Sequence, residues 1–247
     1  MQESFYAEYS QVEDTHWWFR GRRQIFARLL APFVVEPLRI LDIGFGTGAM
    51  LEFLESYGSV IGMDMSIAAI RFARTRVSCP MFLGSITHVP IANAAVDLVT
   101  AFDIVEHVEN DAAAFVELAR VCRPGGHVLV TVPAFQFLWG NQDIVSQHRR
   151  RYTLPQLGAR MRAAGLVPRR LSYFNAILFP AVAAIRMARR LRGAPSAETV
   201  KSDFTMTRPG FVNDALTRIF AAEGRWLARW RLPVGVSLVG IAERPAA

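Results

Sequence analysis

Glycines at positions 44, 46 and 48, set behind the run Ile40-Leu41-Asp42-Ile43, constrain this 247-residue chain more than any other feature. Ile40, Leu41 and Ile43 read as a buried strand. A helix pattern begins near Thr47, with Met50, Leu51 and Leu54 on one face. Between strand and helix every second residue lacks a Cβ, so backbone N–H groups and a helix N-terminus can come close to a polar ligand. Such a corner belongs to α/β folds that bind ligands beyond the carboxyl ends of their strands. With Ala49 in the sixth place the run also satisfies the dinucleotide form G-x-G-x-x-G/A, so the glycines alone do not choose the ligand.

Two carboxylates narrow the choice. Asp64 closes the next apolar run, Val60-Ile61-Gly62-Met63, and lies 20 residues beyond Gly44, where a second strand delivers an acid to ribose hydroxyls. Asp42 stands two residues before the first glycine. There a carboxylate repels a pyrophosphate but suits an ammonium group. The segment thus resembles motif I of the class I S-adenosylmethionine (SAM)-dependent methyltransferases, D/E-x-G-x-G-x-G, which implies SAM as cofactor.

Beyond the corner, strand and helix patterns alternate: strand 38–43, helix 47–57, strand 59–63, helix 66–77, strands 80–83 and 96–102, helix 110–122 and strand 127–132. A helix over about 153–164, a strand over 166–174 and a last strand over 234–242 follow. Alternation of this kind predicts an α/β Rossmann-like doubly wound sheet, mostly parallel, and the near-continuous apolar strands fit burial on both faces. The resemblance adds an antiparallel last strand. We expect one domain over 1–247, with an N-terminal helical cap at 1–36 and a helical insertion, a lid or a membrane-facing element, at 175–232 before the last strand. Arg192–Ser202 is the expected mobile stretch.

Several segments border the expected site. Phe102 and Asp103 end the fourth strand, followed by Glu106-His107. This resembles the D-V-L-E-H motif of small-molecule methyltransferases; a plainer reading makes Glu106 and His107 the cap of the next helix. Ser85 stands where the family commonly places an acid for the adenine, which leaves the backbone of Ser85 and Ile86 to do much of that work. Met65 and Phe102 complete the expected cofactor contacts. In His16-Trp17-Trp18-Phe19-Arg20-Gly21-Arg22-Arg23, the resemblance implies a cap closing over SAM, with Arg22 or Arg20 meeting the methionine carboxylate and Trp18 beside it.

After the fifth strand come Trp139 and then His148-Arg149-Arg150-Arg151-Tyr152-Thr153. Trp139, Arg149, Arg150, Arg151 and Tyr152 are expected to hold an anionic acceptor through charge-assisted bonds. The plainer reading is a solvated turn with Thr153 capping the next helix. His148, then His107, are the candidate general bases, because imidazole titrates near neutral pH. No metal is expected. Together these segments resemble a bacterial subgroup often linked with cell-envelope glycan and lipid-linked sugar pathways.

Charge is unevenly spread. Residues 1–147 carry ten basic residues against sixteen acids, and residues 148–247 carry eighteen against five. A basic half implies an anionic partner. We therefore expect a phosphorylated, prenyl or lipid-linked acceptor and O- or C-methylation. A soluble enzyme tailoring a neutral secondary metabolite, an RNA methyltransferase and a SAM-binding partner subunit stay open as alternatives, though no RNA-binding module is visible. The two cysteines, Cys79 and Cys122, read as core residues, and Met1–Tyr9 is not a signal peptide, so the cytoplasm is the expected compartment. Trp226 and Trp230 beside Arg225, Arg229 and Arg231 suggest peripheral contact with anionic membrane.

Overall fold

A computed structural model describes residues 3–191 and 210–246. Seven strands form one sheet in the order β3-β2-β1-β4-β5-β7-β6. They span Leu38–Ile43 (β1), Gly58–Asp64 (β2), Met81–Leu83 (β3), Val96–Phe102 (β4), Cys122–Pro133 (β5), Val167–Phe174 (β6) and Ser237–Glu243 (β7). Strands β1 to β5 pair in parallel, while β7 runs antiparallel to both β5 and β6. The fold is the expected Rossmann-like one. Two strand starts differ from the sequence reading by more than one residue. β5 begins at Cys122, which pairs with Val96, and β7 begins only at Ser237.

Helices cover both faces, as the two-residue period of the strands requires. Leu41 and Ile43 face one core with Phe115 and Leu118 of α5 (Asp111–Val121) and Leu157 and Met161 of α7 (Leu154–Ala163). Ile40 faces the other, with Leu51 and Leu54 of α3 (Ala49–Glu55) and Ala69 and Ile70 of α4 (Ile67–Ala73). The strand after α5 and the helix after Thr153 are thus buried where their apolar periods place them.

The cap contains α1 (Glu3–Val12), which the sequence reading did not separate, and α2 (Trp17–Leu30), ending in a 3-10 turn at Ala31–Phe33. The insertion supplies α8 (Phe179–Leu191) and α9 (Phe211–Leu227); the stretch expected to be mobile, Arg192–Ser202, lies outside the described residues. Cap and insertion form one layer. α9 packs along α2, where Gly21 leaves room for the Phe220 ring and Gly224 for the backbone of Ile25 and the stem of Arg28. A Cβ at either glycine would collide, so both permit the close approach. Phe220 in turn stacks on Phe174 at 6.1 Å, and Phe26 stacks on Phe102 at 5.0 Å. Asn213 ties the layer further: it accepts from the Trp17 N–H and donates to the Thr15 carbonyl, both at 2.8 Å.

Candidate active site

The carboxyl ends of β1 and β4 open into a cavity of about 480 Å³, enclosed by the cap on one side and α8 on another. Gly44, Gly46 and Gly48 all have positive φ (76°, 59° and 93°), a conformation open to glycine without strain. The Gly44 N–H bonds the Met63 carbonyl at 2.7 Å, which fixes the loop to β2. Asp64, at the end of β2, accepts from the Gly46 N–H at 3.1 Å and the Ser66 N–H at 2.9 Å.

Asp42 lies opposite Thr100 of β4 and is 1% exposed. Its Oδ1 accepts from the Thr100 hydroxyl at 2.6 Å, and its Oδ2 has no hydrogen-bond partner. Burial pushes the carboxyl up to about 7. Arg22 of α2 is the cation across the cavity. Its guanidinium lies 4.2 Å from the Trp18 ring centroid and donates to Asp103 Oδ2 at 2.7 Å, while its buried Nε is left unbonded. An orphaned carboxylate oxygen and an orphaned guanidinium N–H, both beside a glycine loop, match the ammonium and carboxylate of an amino-acid moiety. The residues present therefore fit SAM.

Placement sorts the expected cofactor contacts. Trp18, Arg22, Asp42, Gly44, Gly46 and Phe102 line the cavity, and Gly48 and Asp64 support its loop. Arg20 turns outward to Asp214 at 2.6 Å, while Arg22 and Arg23 of the cap line the cavity. Met65, Ser85 and Ile86 lie outside it. The Met65 side chain is 83% exposed, the Ser85 hydroxyl bonds that of Thr87 at 2.9 Å, and the Ile86 side chain is packed in the core.

The arginine run does not form a clamp. An isolated parallel bridge between Ala134 and Tyr152 holds this stretch extended, so neighbouring side chains diverge. Tyr152 and Arg150 go to Asp111: the tyrosine hydroxyl donates at 2.9 Å and Arg150 pairs at 3.4 Å. Arg149 donates to the His107 carbonyl at 3.1 Å on the outside. Arg151 alone lines the cavity, and it is committed to Asp143 through two bonds of 2.8 and 2.9 Å. Trp139 is half-buried behind the wall. Of the expected acceptor contacts, Trp139, Arg149, Arg150 and Tyr152 are thus corrected to positions outside the cavity.

Glu106, His107 and His148 stand together on the cavity wall. The helix-cap reading of Glu106 and His107 does not apply, because Asn110 caps α5 by accepting from the Ala113 N–H at 3.1 Å. His148 Nδ1 meets Asp143 Oδ1 at 2.8 Å, and its Nε2 lies 3.8 Å from Glu106 Oε1. Burial opposes charge on Asp143, but His148 and Arg151 overcome it and hold the carboxyl down at about 2. Glu106 is 0% exposed, its carboxyl raised well above the usual range by burial and by Asp103. Burial also pushes His107 down to about 4.

Asp143 and Glu13 escaped the sequence reading, and Asp103 was placed beside the site without a role. Asp143 orients His148; Asp103 holds Arg22; and Glu13 accepts a short bond from the Thr47 hydroxyl, fastening the cap to the glycine loop. For Asp143 a signal existed, a carboxylate five residues before a candidate base. Asp103 and Asn175 both line the cavity with positive φ (56° and 59°), an uncommon conformation that concentrates at functional sites.

Residues 41–130 match the family described as "Methyltransferase domain". A Mycolicibacterium smegmatis protein named as a probable S-adenosylmethionine-dependent methyltransferase is 30% identical over 124 residues, 49% of this chain and 48% of that protein. The ubiquinone biosynthesis O-methyltransferase of Alkalilimnicola ehrlichii is 36% identical over 102 residues, 38% of this chain and 41% of that one. The chain thus spans about half or less of the length of the curated relatives it matches. Among solved structures, a chain from the Haloferax volcanii complex of the Trm112 methyltransferase activator with a methyltransferase superposes with a TM-score of 0.65. It covers 99% of this chain and 96% of that one at 17% identity, a likeness of fold alone. Residues 41–130 are thus similar to a methyltransferase domain, and they lie in a Rossmann-like sheet.

Proposed function

We propose that this protein transfers the methyl group of SAM to an oxygen or carbon nucleophile on a small, partly hydrophobic acceptor. One observation carries the reading: a single cavity joins the orphaned Asp42 and Arg22 groups to an apolar wall. That wall is Leu178, Ala181, Val182 and Ile185, a stripe at helical spacing contributed by the insertion. Asp42 receives the ammonium of the methionine moiety, Arg22 its carboxylate, and Asp64 the ribose hydroxyls. The cofactor supplies a methyl group on a sulfonium. The chain orients the acceptor for in-line attack and excludes water, its cap and α8 closing the space. With the cofactor bound, His148, or His107 in its place, would take the proton that the acceptor gives up when it is methylated. The relative named as a ubiquinone biosynthesis O-methyltransferase favours oxygen as the nucleophile. Arg151 and Arg186 pair with Asp143, so an anionic head group would draw on Arg23, which also lines the cavity and lies 3.9 Å from Asp14.

A membrane-borne acceptor is favoured by the outer side of α9. Val212, Ile219 and Trp226, continued by Trp230, make an exposed apolar line, and Arg218, Arg225 and Arg229 border it. An apolar stripe edged by arginines suits an anionic lipid surface.

Calorimetric titration with S-adenosylhomocysteine tests the cofactor half. Asp64→Ala is expected to weaken binding roughly 10- to 100-fold through lost charge-assisted hydrogen bonds. Unchanged affinity in that variant would remove Asp64 from the ribose site.

A further inference from the structure

The cavity lining holds an arrangement that methyl-donor binding does not explain. Glu106 is fully buried, yet neither carboxylate oxygen has a hydrogen-bond partner. A carboxylate in that state calls for a proton or a cation. The ring nitrogens beside it belong to His107, from the 3-10 turn Val105–His107, and to His148, forty-two residues from Glu106 in sequence. One ligand atom from each of Glu106, His107 and His148 lies within 4.8 Å of the others, and the two imidazoles meet edge to face with centroids 4.8 Å apart.

The surroundings of His148 point the same way. Asp143 is held by both arms of Arg151 and by the Gly140 N–H at 2.8 Å, so it presents a fixed carboxylate to His148 Nδ1. A fixed acceptor at Nδ1 places the proton there and leaves the Nε2 lone pair free on the side of Glu106. This is the outer-sphere arrangement, carboxylate to imidazole, that orients metal-ligating histidines.

We propose that Glu106, His107 and His148 bind a divalent transition-metal ion, with Asp143 as the positioning residue for His148. Two imidazoles and one carboxylate favour zinc, cobalt, iron, nickel or manganese over magnesium or calcium, which take all-oxygen sites. All three ligands line the cavity. Three protein ligands leave coordination positions open toward it for an acceptor hydroxyl. Bound to the cation, the hydroxyl loses its proton to solvent at lower pH than when free. The oxygen then takes the methyl group as the methyl–sulfur bond breaks. In this state His107 and His148 are ligands, and no side chain needs to act as general base. The acceptor role of the metal rests on the methyltransferase reading; the binding site does not.

The test uses tag-free, chelator-stripped full-length protein titrated with Co²⁺, read by visible absorption, and with Zn²⁺, read by calorimetry. Wild type is expected to bind one ion per chain and to show the d–d bands of a site with nitrogen ligands. Glu106→Gln keeps the shape of the side chain and removes an unpartnered buried acid, so it is expected to fold and to lose at least about 10-fold in metal affinity. Asp143→Asn is expected to weaken binding by about 10- to 100-fold and to shift the Co²⁺ spectrum. Absence of Co²⁺ bands in wild type, or equal metal affinity in wild type and Glu106→Gln, overturns the proposal. S-adenosylhomocysteine titrations on the same samples separate the two readings. Binding of the cofactor product without metal sinks the metal site alone. Metal binding without it sinks the methyltransferase reading alone.

Discussion

Asp42 shows how one residue links burial to ligand affinity. Its carboxyl is pushed up to about 7 because it is buried, and only the Thr100 hydroxyl bonds it. An ammonium ligand binds the ionised form, so ligand binding lowers the pKa and releases a proton. S-adenosylhomocysteine affinity is therefore expected to rise with pH up to about 7 and to fall by up to about tenfold for each unit below it. Asp42→Asn should bind weakly with a flat profile over the same range. Calorimetry in two buffers of different ionisation enthalpy checks the proton release. Motif spacing alone singles out Asp42 and Asp64, since each sits within a few residues of its strand end. Asp143 could not be found that way. Its role depends on Arg151 and His148 folding back onto it, and the distance between them is a property of the turn after α6 (Asn141–Val145).

At the scale of elements, α9 braces α2, the cap helix that closes one side of the cavity. Phe220 is fully buried between Gly21, Trp17 and Phe174. Phe220→Ala is expected to cost about 3–5 kcal/mol of stability by opening a cavity at this crossing, read as a lower midpoint in denaturant. The arginine run carries the opposite expectation. Arg149 and Arg150 lie outside the cavity, so Arg149→Ala with Arg150→Ala should leave cofactor-product affinity unchanged and turnover within about twofold. A large loss of turnover would restore the clamp that the extended backbone removes. Periodicity made α3, α4, α5 and α7 legible, because each buries a single apolar stripe. It also marked the insertion as helical, but said nothing of its partner. That partner is the cap, some 190 residues earlier in the chain.

For the molecule as a whole, the uneven charge acquires a location. Arg218, Arg225 and Arg229 edge the exposed line of Val212, Ile219, Trp226 and Trp230, while Arg150, Arg151 and Arg160 are occupied by Asp111 or Asp143. Co-sedimentation with phosphatidylglycerol vesicles is expected for wild type and to weaken with rising salt. Trp226→Ser with Trp230→Ser should lose most of it; retention by the double variant would remove α9 as the contact. No helix among the described residues is long and apolar enough to cross a membrane.

By itself the sequence determined the class of fold and the donor corner. Both are written in short-range order: alternating apolar periods, glycine at every second position, and an acid at the end of each of two successive strands. Tertiary structure alone decided the Glu106–His107–His148 wall of the cavity. Glu106 and His148 meet because β4 and the segment after β5 converge at one edge of the sheet. The arginines part because that same segment is held extended. Burial then decides which charged groups keep partners. It leaves Asp42 and Glu106 without enough of them, and both carboxylates line the cavity.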